Sequence, residues 1–137
     1  MRQGQASLEF FFMIGLSALM MAILLGIVAQ KQSAVNEMRN QKIGDEVAET
    51  IAFNVEMALV QGNGYSRKFY IARSIAGRTY NISVANSTVY VGWGGSFATE
   101  DTFYEGRSIE FSTEDFSRLK VVNNRTGGSN RVFIVGQ

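Results

Sequence analysis

Residues 10–30, which decide the fold, read FFFMIGLSALMMAILLGIVAQ. Seventeen of the 20 residues from Phe10 to Ala29 are apolar, whereas the whole chain of 137 residues is 46% apolar. No charge lies between Glu9 and Lys31. As a helix rising about 1.5 Å per residue, this run would span roughly 30 Å, the thickness of the hydrocarbon core of a membrane. The sequence therefore predicts an apolar helix attached to a modest soluble domain.

The composition excludes several classes of function. The chain has no cysteine, histidine or proline, so it can form no disulfide framework, Cys/His metal site or imidazole base. Its formal net charge is only +1, and we expect no nucleic-acid partner. Glu110, Glu114 and Asp115 come nearest to a carboxylate cluster and are interpreted as solvated charges. We expect no enzyme activity, no metal and no cofactor.

Two general interpretations of the apolar run leave one residue unexplained. The run could be a secretory signal peptide cut after Ile27-Val28-Ala29, or a plain single-pass anchor. Neither accounts for Glu9, because a carboxylate at the edge of hydrocarbon is costly without a partner. Arg2 and the amino terminus precede the run. Since positive charge stays on the cytoplasmic side, the residues after the run are expected outside the cell.

The residues just before the run support a third interpretation. Gly4-Gln5-Ala6-Ser7-Leu8-Glu9 resembles the class III signal sequence of archaeal type IV pilins, in which Gly is followed by Gln-x-Ser-x-Glu and an apolar helix. The resemblance implies that a prepilin peptidase cuts between Gly4 and Gln5, that residues 1–4 are a leader, and that the apolar helix is retained. It covers about the first 30 residues of the chain.

The resemblance also implies a function. A pilin of this family starts in the cell membrane with its head outside, and then polymerises through its apolar helix into an extracellular filament for adhesion. The new amine of Gln5 would pair with Glu9 of a neighbouring subunit and so set the axial register. Implied partners are further copies of the chain, the membrane, the peptidase, and an assembly ATPase with its membrane platform. A minor pilin or pseudopilin, and a monomeric membrane-anchored binding domain, remain as alternatives.

Small residues recur along the apolar run at spacings of 3, 4, 4 and 3. Such spacing places them on one helical face, where two backbones can approach closely. Ordinary membrane composition is the alternative explanation, since Gly and Ala are common in such helices. We call this set the small-residue stripe: Gly15, Ala18, Ala22, Gly26 and Ala29.

One helix is predicted over residues 5–61. Beyond the apolar run, apolar residues recur every fourth position, and Gly62-Asn63-Gly64 is a stop signal. The glycines at positions 15, 26 and 44 mark potential bends. The recurring apolar residues, which would face a covering domain, are Ile43, Val47, Ile51, Val55 and Leu59.

Residues 62–137 predict a β-rich head, so the expected fold is α+β and pilin-like, with a small antiparallel meander or sandwich. A strand containing Phe69, Ile71 and Ile75 would lead through Ala76-Gly77 into a strand at 78–84. Residues 123–130 are predicted as a loop, and Gly92-Trp93-Gly94-Gly95 as an exposed turn. Residues 132–135 are apolar on both faces, which favours a central strand or burial between subunits. The other predicted strands are Thr88–Trp93, Ser108–Ser112, Leu119–Val122 and Arg131–Val135.

Three N-x-[ST] sequons lie in the predicted head, on outward faces or loops. Chance would produce about one in a chain of this composition, so chance remains one explanation. N-linked glycans would agree with the outward topology. The candidate residues are Asn81, Asn86 and Asn124.

Overall fold

The structure is a computed structural model that describes residues 2–113, 118–126 and 129–136. One long helix, α1 (Arg2–Gln61), precedes seven strands, which is the predicted α+β, pilin-like architecture. Helical geometry continues through the three glycines that marked potential bends. The helix ends before Gly62, as predicted. Gly62 adopts a φ of 79°, and its N–H donates to the carbonyl of Ala58 at 3.2 Å, which is an αL cap.

The chain divides into two compact units, Met1–Met38 and Arg39–Gln137. The first unit holds the apolar part of α1. The second unit combines the last part of α1 with all the strands, so the head is built around a helix that begins well before the predicted head boundary at residue 62.

The strands form two antiparallel sheets. Their bounds are β1 (Ser66–Tyr70), β2 (Asn81–Ala85), β3 (Thr88–Trp93), β4 (Ser96–Asp101), β5 (Ile109–Ser112), β6 (Arg118–Thr126) and β7 (Ser129–Gly136). The three-stranded sheet has the order β1-β6-β7, and the four-stranded sheet has the order β4-β3-β2-β5. The hairpin between β2 and β3 turns at Asn86 and Ser87, which have φ values of 50° and 61°.

The core of the second unit lies between α1 and the inner faces of the sheets. The predicted apolar stripe of α1 is confirmed: its three central members are buried, and Ile43 and Leu59 pack at its ends. Alternation of buried residues in β2 places Ile82 and Val84 on one face, as predicted. Each fully buried aliphatic side chain contributes about 1.5–3 kcal/mol to folding. The buried aliphatic core residues include Val47, Ile51, Val55, Val84, Val89, Val91, Leu119 and Val121.

The prediction for the first strand was wrong in its partner. β1 pairs with β6 and belongs to the other sheet, not beside β2. Ala76 and Gly77 do form a tight turn, in which the backbones of Ile75 and Arg78 exchange two hydrogen bonds of 3.0 Å. Both central residues of this turn have positive φ. No strand ladder continues on either side of it, so the turn does not join two strands.

Three further features of the head differ from what the sequence predicted. Residues 123–126 and 129–130 of the predicted loop 123–130 are paired strand residues of β6 and β7. The buried Asn123 side chain hydrogen-bonds to α1. The four residues 132–135 lie in β7, which is an edge strand and not a central one. Strand β4 was missed, since Ala98 is the only one of its residues that is buried and it shows no apolar alternation.

Trp93 is not in an exposed turn. Only 5% of its surface is accessible, and its ring packs against Gly44 of α1. Gly94 and Gly95, with φ values of 50° and 91°, make the turn that follows. The turn prediction was therefore correct for the glycines and wrong for the tryptophan.

Candidate functional site: an exposed apolar helical segment

The candidate site is the part of α1 in the first unit, from Leu8 to Met38. Its most apolar 18-residue window has a mean hydropathy of 2.6, and none of that window is buried. Exposure of the large apolar side chains runs from 45% at Leu16 to 73% at Leu8. Single apolar residues on a surface are ordinary, but a continuous apolar helix of this length requires apolar surroundings in its working state.

The length and composition of this segment are compatible with a membrane anchor or with a signal sequence. A buried core helix of a soluble domain is a different case, because such a helix would be covered by its own chain. This segment meets the roughly 20 apolar residues that crossing a bilayer requires.

The hydroxyl group within the segment is satisfied by the helix itself. The Oγ atom of Ser17 donates to the carbonyl oxygen of Met13 at 2.8 Å. Because no water is available in hydrocarbon, a polar group there must find its partner inside the protein. Ser17 is therefore suited to an apolar environment.

The structure places the small-residue stripe on one side of α1. At about 100° per residue its five members fall within an arc of about 80°. Positions 15 and 26 are open, with no atom within 4 Å of where a Cβ would stand. The stripe therefore offers a shallow strip of bare backbone between larger apolar side chains, a geometry that permits close helix packing.

The predicted register pair is four residues apart on the same helix. Gln5 and Glu9 both lie in α1, about one turn from each other, and the peptide bond after Gly4 lies in the helix as well. Glu9 lies on a different side of the helix from the centre of the small-residue stripe, by about 140°. Where side chains are described, residues 8–113, 118–124 and 131–136, no ion pair reaches Glu9.

All three sequon asparagines are exposed. Asn81 begins β2, Asn86 lies in the β2–β3 turn, and Asn124 lies on β6. Each side chain is thus accessible to a glycan-transferring enzyme, although Asn81 and Asn124 lie within paired strands.

The described part of the chain holds no group of acidic side chains arranged as a metal centre: no three of them come together to hold a metal ion. Glu110 is exposed on β5, and Glu114 and Asp115 lie outside the described residues. Sequence reasoning also did not bring together a set of acidic residues from α1 and β4, because they lie far apart in the chain: Glu46, Glu49, Glu56, Glu100 and Asp101.

Two buried tyrosines serve the structure of the head. The Tyr80 hydroxyl donates to the carbonyl of Ala72, and the Tyr104 hydroxyl donates to the carbonyl of Arg107 at 2.8 Å. Burial raises the pKa of both hydroxyls above the ordinary tyrosine value. Tyr104, like Trp93, is a core residue.

No protein-family model, curated protein or solved structure matches this chain.

Proposed function

We propose that this chain is the structural subunit of an archaeal type IV pilus. It inserts into the cell membrane through residues 10–30 and loses residues 1–4 to a prepilin peptidase. An assembly ATPase and its membrane platform then polymerise it into an extracellular adhesive filament. Its head faces outward, where Asn81, Asn86 and Asn124 carry glycans.

The observation that carries the proposal is the complete exposure of the apolar part of α1. Lipid before assembly and neighbouring helices after assembly are both apolar, so the same surface is compatible with both states. The apolar surface can therefore pass from lipid to the filament without being exposed to water at any stage. The Gly4-to-Glu9 motif directly before the apolar run adds a processing site at the correct end of the helix.

Glu9 would supply the register of the polymer. Cleavage after Gly4 leaves an α-amino group on Gln5 with an unperturbed pKa of about 8, so the group is largely cationic at neutral pH. A carboxylate that is left unpaired in hydrocarbon costs several kcal/mol. Pairing Glu9 with the amine of a neighbouring Gln5 therefore favours one axial offset between subunits.

The amino terminus of the mature protein tests the proposal. Protein released from the cell surface is examined by intact-mass measurement and amino-terminal sequencing, and by electron microscopy for filaments. A start at Gln5, in filaments made of this chain, is the expected result. Glycans would appear as added mass on peptides containing the sequon asparagines.

Three other results identify the alternatives. A start at Gln30 would mean a secretory signal and would overturn the proposal. An intact Met1 on a chain that stays in the membrane would indicate an anchored monomeric binding domain. A start at Gln5 in a trace component of filaments built from another subunit would indicate a minor pilin or pseudopilin.

A further inference from the structure

The second unit has an acidic groove between α1 and the edges of strands β1 and β4. The groove has a volume of about 760 Å³. Five of its lining residues are acidic and one is basic, Arg67. The Arg67 guanidinium lies 5.9 Å from the centroid of the Phe53 ring, so it already stacks on α1. The acidic lining residues are Glu46, Glu49, Glu56, Glu100 and Asp101.

A buried acceptor in the groove lining lacks a donor. Asn54 is 3% exposed and lines the groove. Its Nδ2 donates to the Thr50 carbonyl at 2.7 Å, whereas its buried Oδ1 has no hydrogen-bond partner in the described part of the chain. Buried polar atoms normally have partners. An acceptor among carboxylates suits a group with donors only, which means an ammonium or a guanidinium.

The outer face of the sheet β1-β6-β7 has the opposite character. No residue of these three strands is acidic. The inner positions Phe69, Leu119 and Val132 are buried, so the residues alternating with them point outward. Lys68 lies opposite Lys120 across the β1–β6 pair. We call this surface the basic face; its cations are Lys68, Arg118, Lys120 and Arg131.

Apolar groups on the basic face lie between the cations. Tyr70 is 66% exposed, and the Arg118 guanidinium lies 5.3 Å from the centroid of its ring. Phe133 and Val135 project from β7 with about half of their surfaces accessible. Arginine and aromatic residues are enriched in protein interfaces. The sequence left two explanations for the apolar residues 132–135, a central strand or burial between subunits. Because β7 lies at the edge of its sheet, burial between subunits is the explanation that remains.

We propose that the acidic groove of one chain receives the basic face of a second copy. This inference rests on the proposed function and names the surfaces through which the heads meet. Arg67 and Lys68 are consecutive in β1, and consecutive strand residues point to opposite faces. The two surfaces of one chain therefore face in different directions. A contact between two different surfaces repeats from chain to chain, so it builds an open filament wherever the rotation between chains does not close into a ring.

Charge reversal on each surface tests the contact in the full-length protein. One variant carries Glu49→Lys with Glu100→Lys, and the other carries Lys68→Glu with Lys120→Glu. Each variant alone would place like charges together, so the concentration needed for polymerisation should rise by about tenfold or more. The control variant carries Arg73→Glu with Glu110→Lys, two exposed charges outside both surfaces, and should polymerise like the wild type.

Mixing the two reversed variants is the decisive step. In the mixture, the positive, reversed groove of one variant meets the negative, reversed face of the other. The natural acidic groove of the second variant meets the natural basic face of the first, so the two variants can alternate along a filament. Polymerisation should return to the wild-type concentration. Fluorescence of Trp93, the single tryptophan, shows that each variant is folded before mixing.

A disulfide test gives a second measurement, because the natural chain has no cysteine. A mixture of Glu100→Cys and Lys120→Cys chains should cross-link, on oxidation, at least about tenfold more than a mixture of Glu110→Cys and Lys120→Cys chains.

The outcomes separate this inference from the proposed function. If wild-type chains that begin at Gln5 do not polymerise in the presence of the assembly ATPase and its membrane platform, both are overturned. If wild-type chains polymerise while the reversed variants behave like the wild type, or remain defective when mixed, only the groove-to-face contact is overturned. A defect that mixing does not repair would mean that the groove and the basic face do not contact each other.

Discussion

The ring of Trp93 in β3 packs directly on the backbone of Gly44 in α1. A Cβ atom at position 44 would overlap the six-membered ring of the indole, so the contact requires glycine. Trp93 is 5% exposed and Gly44 is buried. This contact sets how closely the four-stranded sheet approaches the helix within the second unit.

Gly44→Ala should destabilise the head. Alanine normally favours a helix over glycine by about 1 kcal/mol, but overpacking a tight contact costs about 1–3 kcal/mol. Because the ring cannot move freely in the core, we expect the overpacking cost to lie at the upper end of that range, which leaves a net loss of about 1–2 kcal/mol in the free energy of unfolding. Urea unfolding of the full chain in detergent, followed by Trp93 fluorescence, measures it.

Gly26→Ala is the matched control for that substitution. It makes the same change in the same helix, at a position with no atom within 4 Å of the new Cβ. The unfolding of the head should not change. Equal stability of Gly44→Ala and the wild type would contradict the Trp93 packing.

Asn123→Asp should be more destabilising at pH 7 than at pH 4. The fully buried Nδ2 of Asn123 donates to the carbonyl of Ala58 at 2.7 Å, near the negative end of the α1 dipole. A carboxylate there loses the donor and faces a carbonyl, so burial should raise the new carboxyl pKa above about 3.9. The penalty therefore grows as pH rises through the unfolded-state value.

The size of this effect is measurable by urea unfolding at both pH values. We expect a loss of about 3 kcal/mol or more at pH 7 and a smaller loss at pH 4. Asn124→Asp, the exposed neighbour on β6, should show little change at either pH. A penalty for Asn123→Asp that does not depend on pH would contradict the proposed burial of the charge.

Tyr80 should make the head sensitive to alkali. Its burial raises the pKa in the folded state above the unfolded value near 10, so the folded chain keeps a proton that the unfolded chain loses. The free energy of unfolding should then fall as pH rises above about 10, by up to about 1.4 kcal/mol per pH unit for this group.

Tyr80→Phe should reduce that alkaline slope. At pH 7 it should cost about 1 kcal/mol, because it removes the hydrogen bond to the Ala72 carbonyl. Tyr70→Phe, at a ring that is 66% exposed, should retain the wild-type slope. Chemical unfolding between pH 8 and about 11.5 compares the three proteins, and an unchanged slope in Tyr80→Phe would exclude this role for Tyr80.

Ala22→Leu should block polymerisation without affecting membrane insertion. The larger side chain fills the centre of the small-residue stripe and holds the backbones apart. Ser17→Leu adds comparable bulk about 140° away and serves as the control. Membrane extraction measures insertion, and sedimentation measures filaments. Normal filaments from Ala22→Leu would mean that the stripe is ordinary membrane composition.

Glu9→Ala should also abolish filaments while insertion continues, since the substitution makes the helix more apolar and removes only the proposed partner of the Gln5 amine. Glu37→Ala, an exposed acid in the first unit, is the control. Wild-type filament yields from Glu9→Ala would remove the register role and leave Glu9 as a marker of the membrane boundary.

The sequence predicts best where a pattern is local and long. The run 10–30, the four-residue apolar spacing that follows it and the glycine stop at 62–64 each depend on neighbouring residues alone, and α1 appears with its predicted end. The strand predicted after the turn at residues 85–87 likewise appears, as β3, with its predicted bounds. Helical periodicity and glycine stop signals depend only on neighbouring residues in the sequence, so they can be recognised without knowing what packs against them.

Only the tertiary structure decided the features that depend on contacts between distant segments. Asn123 pairs with Val132 in a strand ladder and its side chain hydrogen-bonds to Ala58, and Trp93 is a core residue because Gly44 leaves room for its ring. The partner of β1, the edge position of β7 and the acidic groove likewise join residues far apart in the chain. Whether a residue is buried, and which strand it pairs with, depends on the residues next to it in the folded chain. A pattern along the sequence does not contain that information.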